Sequence, residues 1–316
     1  MRPSQETLDF LELMTRNGPE IGAGLPAAEL RAALRERRTP PSGPEIALVR
    51  AAEAPGPAGP VPLRHYHPEP GAVLPGVVFF HGGGFVIGDL DSHDHVCRII
   101  AAGTGASVVS VDYRLAPEHP FPAPVDDAFA ALRWIAANAG EFGIDPGRLA
   151  VAGDSAGGCL AAVTAQLARD AGGPGLAFQA LVYPVVDWTA DETGERYPSY
   201  RENGQDYFLT AGAMSWFADQ YLASPADAED PRCSPLLAGS LEGLPPALVL
   251  TADFDPLRDE GEAYARALAA AGVPATTVRI NDGFHGILGF GAFLGSARRA
   301  ETAVNAALRH AFAAEG

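Results

Sequence analysis

Arg148-Leu-Ala-Val-Ala152, then Gly153-Asp154-Ser155-Ala156-Gly157-Gly158, then Cys159-Leu-Ala-Ala-Val-Thr-Ala-Gln-Leu-Ala168 is the stretch that decides the fold. The first run is apolar and short, as a buried strand is. The last reads as a helix. A strand, G-x-S-x-G and a helix in succession form a nucleophile elbow, a tight turn that lifts a serine oxygen beyond the sheet edge. The flanking positions are glycine because a side chain there would crowd the turn or the elements beside it. The serine therefore points to a hydrolase.

A single G-x-S-x-G can arise by chance, so the reading needs a second motif. His81-Gly82-Gly83-Gly84 supplies it. It follows another strand-like run, Gly76-Val-Val-Phe-Phe80, upstream of the elbow, where α/β-hydrolases place the loop that donates to an oxyanion. Strand-like runs recur near 107–112, 148–153, 178–183, 247–252 and 275–280, with helical patterns near 92–103, 124–138, 156–170, 258–271 and 295–312. That alternation predicts an α/β fold with a mostly parallel sheet covered on both faces. Two early strands, near 45–51 and 62–67, flank the turn-rich Ala54-Pro-Gly-Pro-Ala-Gly-Pro60.

Two stretches stand outside the rhythm. Residues 1–44 read as helical, with an apolar face from Leu8 to Met14 and a second short helix over Ala27–Arg37. Residues 188–244 carry Trp188, a polar loop, Tyr207-Phe-Leu-Thr and the helical Ala211–Leu222, with no strand pattern. The expected organisation is a core of 45–187 and 245–316, a cap insertion of 188–244, and an N-terminal cap segment of 1–44.

Bulk properties exclude several functions. The chain has 316 residues and a net charge of −17, which disfavours nucleic acid and anionic membrane surfaces as partners. All 22 basic residues are arginine, so Schiff-base lysines, Ser-Lys dyads and Walker lysines are ruled out. Cys97, Cys159 and Cys233 are too scattered for a disulfide framework or a cysteine zinc site. No run is long enough to span a bilayer, and the first residues lack the apolar stretch of a signal peptide, so the expected location is cytoplasmic.

Ser155 needs a base, and the base needs an orienting acid. In α/β-hydrolases these follow the serine in the order acid, then histidine. Only His285 and His310 lie downstream of Ser155. His310 falls inside a terminal helix, whereas His285 follows the last strand-like run, where sites of open α/β sheets gather. Asp255 sits on the loop between strand and helix and is the first choice of acid. Asp253, at the strand's end, is the alternative.

Together these motifs resemble the bacterial hormone-sensitive-lipase-like esterases, a family of the α/β-hydrolases. The resemblance rests on His81-Gly-Gly-Gly84, Val111-Asp-Tyr-Arg-Leu-Ala-Pro-Glu118, Gly153-Asp-Ser-Ala-Gly157, Asp255-Pro-Leu-Arg-Asp259 and Gly283-Phe-His-Gly286. It covers residues 70 to 290 closely and selects Asp255 as the acid. It implies hydrolysis of short- to medium-chain carboxylic esters, a small-molecule ester as the partner, and no metal or organic cofactor. Asp154 resembles the GDSAG subgroup, whose members often dimerise, which makes a homodimer an expectation. An amidase, thioesterase or lactonase would use the same triad. Plant gibberellin receptors resemble the family but have lost the catalytic histidine, which His285 supplies here.

The expected oxyanion donors are the N–H groups of Gly83, Gly84 and Ala156. Phe85, Tyr183, Phe208 and Ile287 are expected to line the substrate pocket, with Val86, Tyr207 and Trp216 as further candidates. His81 reads as a loop-shaping hydrogen-bond partner. His93-Asp94-His95 opens a helix and lacks a third convergent ligand, so a metal is not expected there. Tyr113, Arg114 and Glu118 read as residues that fix the long loop through Pro124.

Overall fold

The computed structural model describes every residue except Met1, Asn17, Gly18, Glu20, Ala23, residues 39–42, Asp191, Glu192 and residues 314–316. Among the described residues eight strands form one sheet: β1 (Leu48–Gly56), β2 (Gly59–His67), β3 (Leu74–Phe80), β4 (Ser107–Val111), β5 (Ile144–Asp154), β6 (Phe178–Val182), β7 (Ala247–Phe254) and β8 (Ala275–Phe284). Their spatial order is β1-β2-β4-β3-β5-β6-β7-β8. Pairing is parallel from β4 through β8 and antiparallel for β1, β2 and the β2–β4 junction.

Along β3 the side chains alternate between two apolar layers. Val78 and Phe80 face one cluster, and Val77 and Phe79 face the other. This two-residue period buries both faces of a central strand. The first layer receives α2 (Ala27–Glu36), α4 (Ala123–Ala137), α5 (Ala156–Asp170) and α8 (Arg258–Ala270). The second receives α1 (Gln5–Arg16), α3 (Asp94–Thr104) and α9 (Gly295–Ala313). On α9 the buried Ala297, Ala300, Val304 and Leu308 recur at helical spacing, which turns one stripe to the sheet.

The Pro/Gly-rich segment 54–60 departs from its expected role. It is mostly strand: β1 and β2 run into it from both sides and only Pro57-Ala58 turn. Proline is tolerated there because β1 is an edge strand with unpaired outward amides. β8 runs four residues beyond its apolar run, through Asp282 at φ 61°, before it delivers the next loop.

The stretch 188–244 contains α6 (Pro198–Asn203), α7 (Ala211–Tyr221) and two short 310 turns, and no strand among the described residues. α1 is clasped to the far end of the chain. Asp282 accepts from Ser4 N (2.7 Å), Ser4 Oγ (2.6 Å) and Thr7 Oγ1 (2.9 Å).

Candidate active site

Parallel strands end at a common edge, so the loops after β3, β5, β7 and β8 meet there. β5 ends at Asp154 and α5 begins at Ala156, leaving Ser155 alone in the turn at φ 55°, ψ −119°. That conformation is sparsely populated for a residue with a side chain and is held only where the surroundings enforce it. A Cβ on Gly153 would enter the Gly157 carbonyl, and one on Gly157 would enter the Phe80 carbonyl. Ser155 N donates to Val182 O at 2.9 Å, which ties the turn to β6.

Asp255 follows β7 and His285 follows β8. The structure brings both to Ser155. His285 Nε2 lies 2.8 Å from Ser155 Oγ, and His285 Nδ1 lies 2.9 Å from Asp255 Oδ2. Asp255 is fully buried, and its Oδ1 accepts from Leu257 N at 2.8 Å, so the loop fixes the carboxylate's orientation. The alternative acid, Asp253, is occupied elsewhere: its Oδ2 accepts from Asp282 N at 3.0 Å. His310 lies within α9, on the terminal helix.

The loop after β3 runs beside the elbow. Gly83 and Gly84 have φ of 118° and 59°, and a Cβ at either would strike Ile87 O or the Phe217 ring. Among the described residues the Gly83 and Gly84 amides donate to no acceptor. Ala156 heads α5, where first-turn amides have no intrahelical partner. His81 anchors this loop from below. Its Nδ1–H donates to Gly82 O (2.8 Å), its carbonyl accepts from Tyr113 (2.6 Å), and its ring stacks on Tyr113. Burial, reinforced by His93, pushes the His81 ring down to about 4, which keeps it neutral. Arg114 holds Asp127 through Nε (2.7 Å) and Nη2 (2.8 Å), and Glu118 pairs with Arg31.

A cavity of about 730 Å³ opens over Ser155 and His285. Its walls come from α1 and α2 (Met14, Leu34), from the 188–244 stretch (Trp188, Phe208, Met214, Phe217) and from the loop after β8 (Leu288, Phe290). Here the pocket expectation needs correction. Phe208 lines the cavity, but Phe85, Tyr183 and Ile287 are in the core. Phe85 and Tyr183 sit at positive φ, 63° and 35°, where the backbone has turned and sends the ring inward. Phe85 stacks on Tyr221 with centroids 3.9 Å apart. Tyr183 packs against the His285 ring at 4.8 Å, and its hydroxyl accepts from Leu288 N at 3.2 Å. Val86 and Ile287 are fully buried, Tyr207 packs on Phe254, and Trp216 packs on Phe217, which takes the lining position itself.

The His93-Asp94-His95 side chains diverge. His93 Nε2 is 3.3 Å from Asp154, Asp94 accepts from Tyr66 and Arg98, and His95 packs near Phe290. No cluster of metal-ligating side chains occurs among the described residues. All three cysteines are buried thiols, and burial raises each well above the usual thiol range.

Two carboxyls escaped the sequence reading. Asp187 lines the cavity and holds the start of the 188–244 stretch through Thr189, Arg196 and Tyr197. Glu260, fully buried on α8, accepts from Val186 N (2.7 Å) and from the Tyr200 hydroxyl of α6. Burial raises Glu260 to about 8. An acid in a helix's first turn reads as an ordinary dipole partner, so nothing in the residue pattern marks its burial.

Comparison with known proteins follows the same lines. A family profile described as alpha/beta hydrolase fold matches residues 77–289. The carboxylic ester hydrolase LipN of Mycobacterium tuberculosis is 51% identical over 253 residues, 78% of this chain and 66% of LipN. Esterase LipI of the same organism is 46% identical over 92% of this chain and 89% of its own length. Among solved structures, the hyperthermophilic esterase of Pyrobaculum calidifontis superimposes with a TM-score of 0.89 at 43% identity, over 98% of this chain and 99% of that one. No helix among the described residues is long and apolar enough to cross a membrane.

Proposed function

The chain belongs to the α/β-hydrolase-fold family, among the bacterial hormone-sensitive-lipase-like carboxylic ester hydrolases, and on that premise we propose that it cleaves short- to medium-chain esters through an acyl-enzyme on Ser155. The observation that carries this reading is the unbroken line from Ser155 Oγ to His285 Nε2 and from His285 Nδ1 to Asp255 Oδ2, at 2.8 and 2.9 Å.

His285 Nε2 takes the Ser155 proton as Oγ attacks the ester carbonyl. Asp255 holds the Nδ1–H tautomer and stabilises the imidazolium that forms. The carbonyl oxygen becomes an oxyanion, received by the N–H groups of Gly83, Gly84 and Ala156. One such donor contributes about 2.7–4 kcal/mol to the transition state. His285 returns its proton to the departing alcohol. Water, deprotonated by the same ring, then releases the carboxylic acid. A mostly apolar cavity of about 730 Å³ suits an alkyl chain better than a charged group.

The test is hydrolysis of p-nitrophenyl esters of graded acyl length by wild type and Ser155→Ala. Turnover of the short esters, abolished in the variant, supports the reading. Turnover that survives Ser155→Ala overturns it. Amide and thioester substrates of matched chain separate an amidase or thioesterase from an esterase.

Three finer points belong to this proposal. Asp154 before the nucleophile supports placement in the GDSAG subgroup. A homodimer follows from that placement, and sedimentation equilibrium at micromolar protein decides it. A cytoplasmic location completes the reading, and fractionation of the producing cells tests it.

A further inference from the structure

We propose that Asp154 and His93 form a second dyad, beside the oxyanion loop in the wall of the same cavity, that positions the Gly83 and Gly84 amides against Ser155. The inference rests on the serine-esterase reading above. Asp154 is the residue before Ser155, so its backbone belongs to the elbow. Its side chain reaches the other motif: Oδ1 accepts from Gly82 N at 3.0 Å, and the pair is so close that a Cβ on Gly82 would enter the carboxylate. Gly82 precedes the two amides assigned to the oxyanion. The Gly82 carbonyl is held in turn by His81 Nδ1 at 2.8 Å, and because that peptide unit is planar its N–H, the Gly83 amide, is fixed with it. One side chain thereby sets the spacing between nucleophile and donors.

That arrangement has an electrostatic cost which His93 offsets. A lone carboxylate beside Ser155 would oppose the negative charge that develops on the substrate oxygen. His93 Nε2 lies 3.3 Å from Asp154 Oδ1. Its Nδ1 lies 2.8 Å from Ser92 Oγ, whose own proton goes to Asp89 O at 2.8 Å. Both ring nitrogens therefore face oxygen acceptors. Burial opposes ionisation of Asp154, but His93 and the Gly82 amide outweigh it and hold the carboxyl below its ordinary range.

The dyad is itself anchored. Asp89 also accepts from Ser92 N, and its carboxylate is held by Arg38 at 2.9 Å and by Arg35 of α2 at 3.3 Å. A continuous polar chain thus leads from the N-terminal helical segment to the oxyanion loop.

Steady-state kinetics on p-nitrophenyl butyrate test the proposal, together with the affinity of a butyl trifluoromethyl ketone, which binds serine hydrolases as an oxyanion adduct. His93→Ala should lower kcat about tenfold with KM nearly unchanged, the order expected for a misplaced donor. Its affinity for the ketone should fall in proportion to kcat/KM, because both report the oxyanion. His93→Gln keeps a donor at the ε position and should recover most of the loss. Asp154→Asn keeps an acceptor for Gly82 but loses the charge, and should fall between. A kcat within about twofold of wild type for His93→Ala overturns the proposal. So does an unchanged ketone affinity, or a His93→Gln no better than His93→Ala at equal Tm. If His93→Ala does not fold, the Gln and Asn variants decide. Ser155→Ala run alongside separates the two readings: residual turnover there refutes the serine mechanism, not the dyad alone.

Discussion

At the carboxyl edge of the sheet a single methyl group would collide with backbone, at Gly153 and Gly157. Across the cavity, the walls built by α1, α2 and the 188–244 segment are apolar side chains such as Met14, Leu34 and Met214. The first region is bounded by carbonyls and amides that cannot move, so few residue types fit. The second is bounded by side chains that adapt to one another, so many do. On the proposed function, the first region sets what bond is attacked and the second sets whose bond it is.

Five substitutions break or sharpen that contrast. Ser155→Ala should reduce ester turnover at least about 10,000-fold while Tm stays near wild type, since removing the nucleophile of such a triad leaves little beyond binding. Asp255→Asn should cost about 1,000-fold in kcat, because the amide no longer enforces the Nδ1–H tautomer. Asp253→Asn, whose carboxylate accepts from Asp282 N, should stay within about threefold; a large loss there would return Asp253 to contention.

On the opposite wall Met214→Trp should leave acetate ester turnover nearly intact while depressing octanoate against acetate about tenfold, the scale on which an apolar pocket discriminates methylenes. An unchanged ratio would remove α7 from substrate selection. The smallest effect is on stability. Glu260 is raised to about 8 in the folded protein, above its ordinary value of 4.5. Its contribution is therefore fully present below about pH 4.5 and is lost as pH rises through about 8, because the unfolded chain ionises first. Glu260→Gln should flatten that decline, by about 1 kcal/mol or more between pH 5 and 8 in urea titrations. Parallel curves would show that Glu260 does not titrate there.

The same contrast explains what could be read from the chain. The helix of the elbow is found over 156–170 as expected, because Ser155 ends one pattern and starts the next. Glycines that exclude a Cβ leave a fixed signature, and so does a histidine placed after a last strand. The cavity wall left no such signature. Phe85 and Phe208 are the same residue type in similar company, yet one is core and the other lining. What separates them is the backbone turn at Phe85, which sends its ring onto Tyr221. Glu260 was hidden for a related reason: its partners, Val186 and Tyr200, lie 60 or more positions away in the chain.

The clasp between Ser4 and Asp282 couples the beginning of the chain to the strand that presents His285, three residues further on. Mechanically, a load applied ahead of residue 4 bears on the loop carrying His285, whereas a load applied after α9 bears on an outer helix. A fusion partner or surface tether placed behind α9 should therefore leave the His285 ring undisturbed, and the same attachment at the front should loosen it.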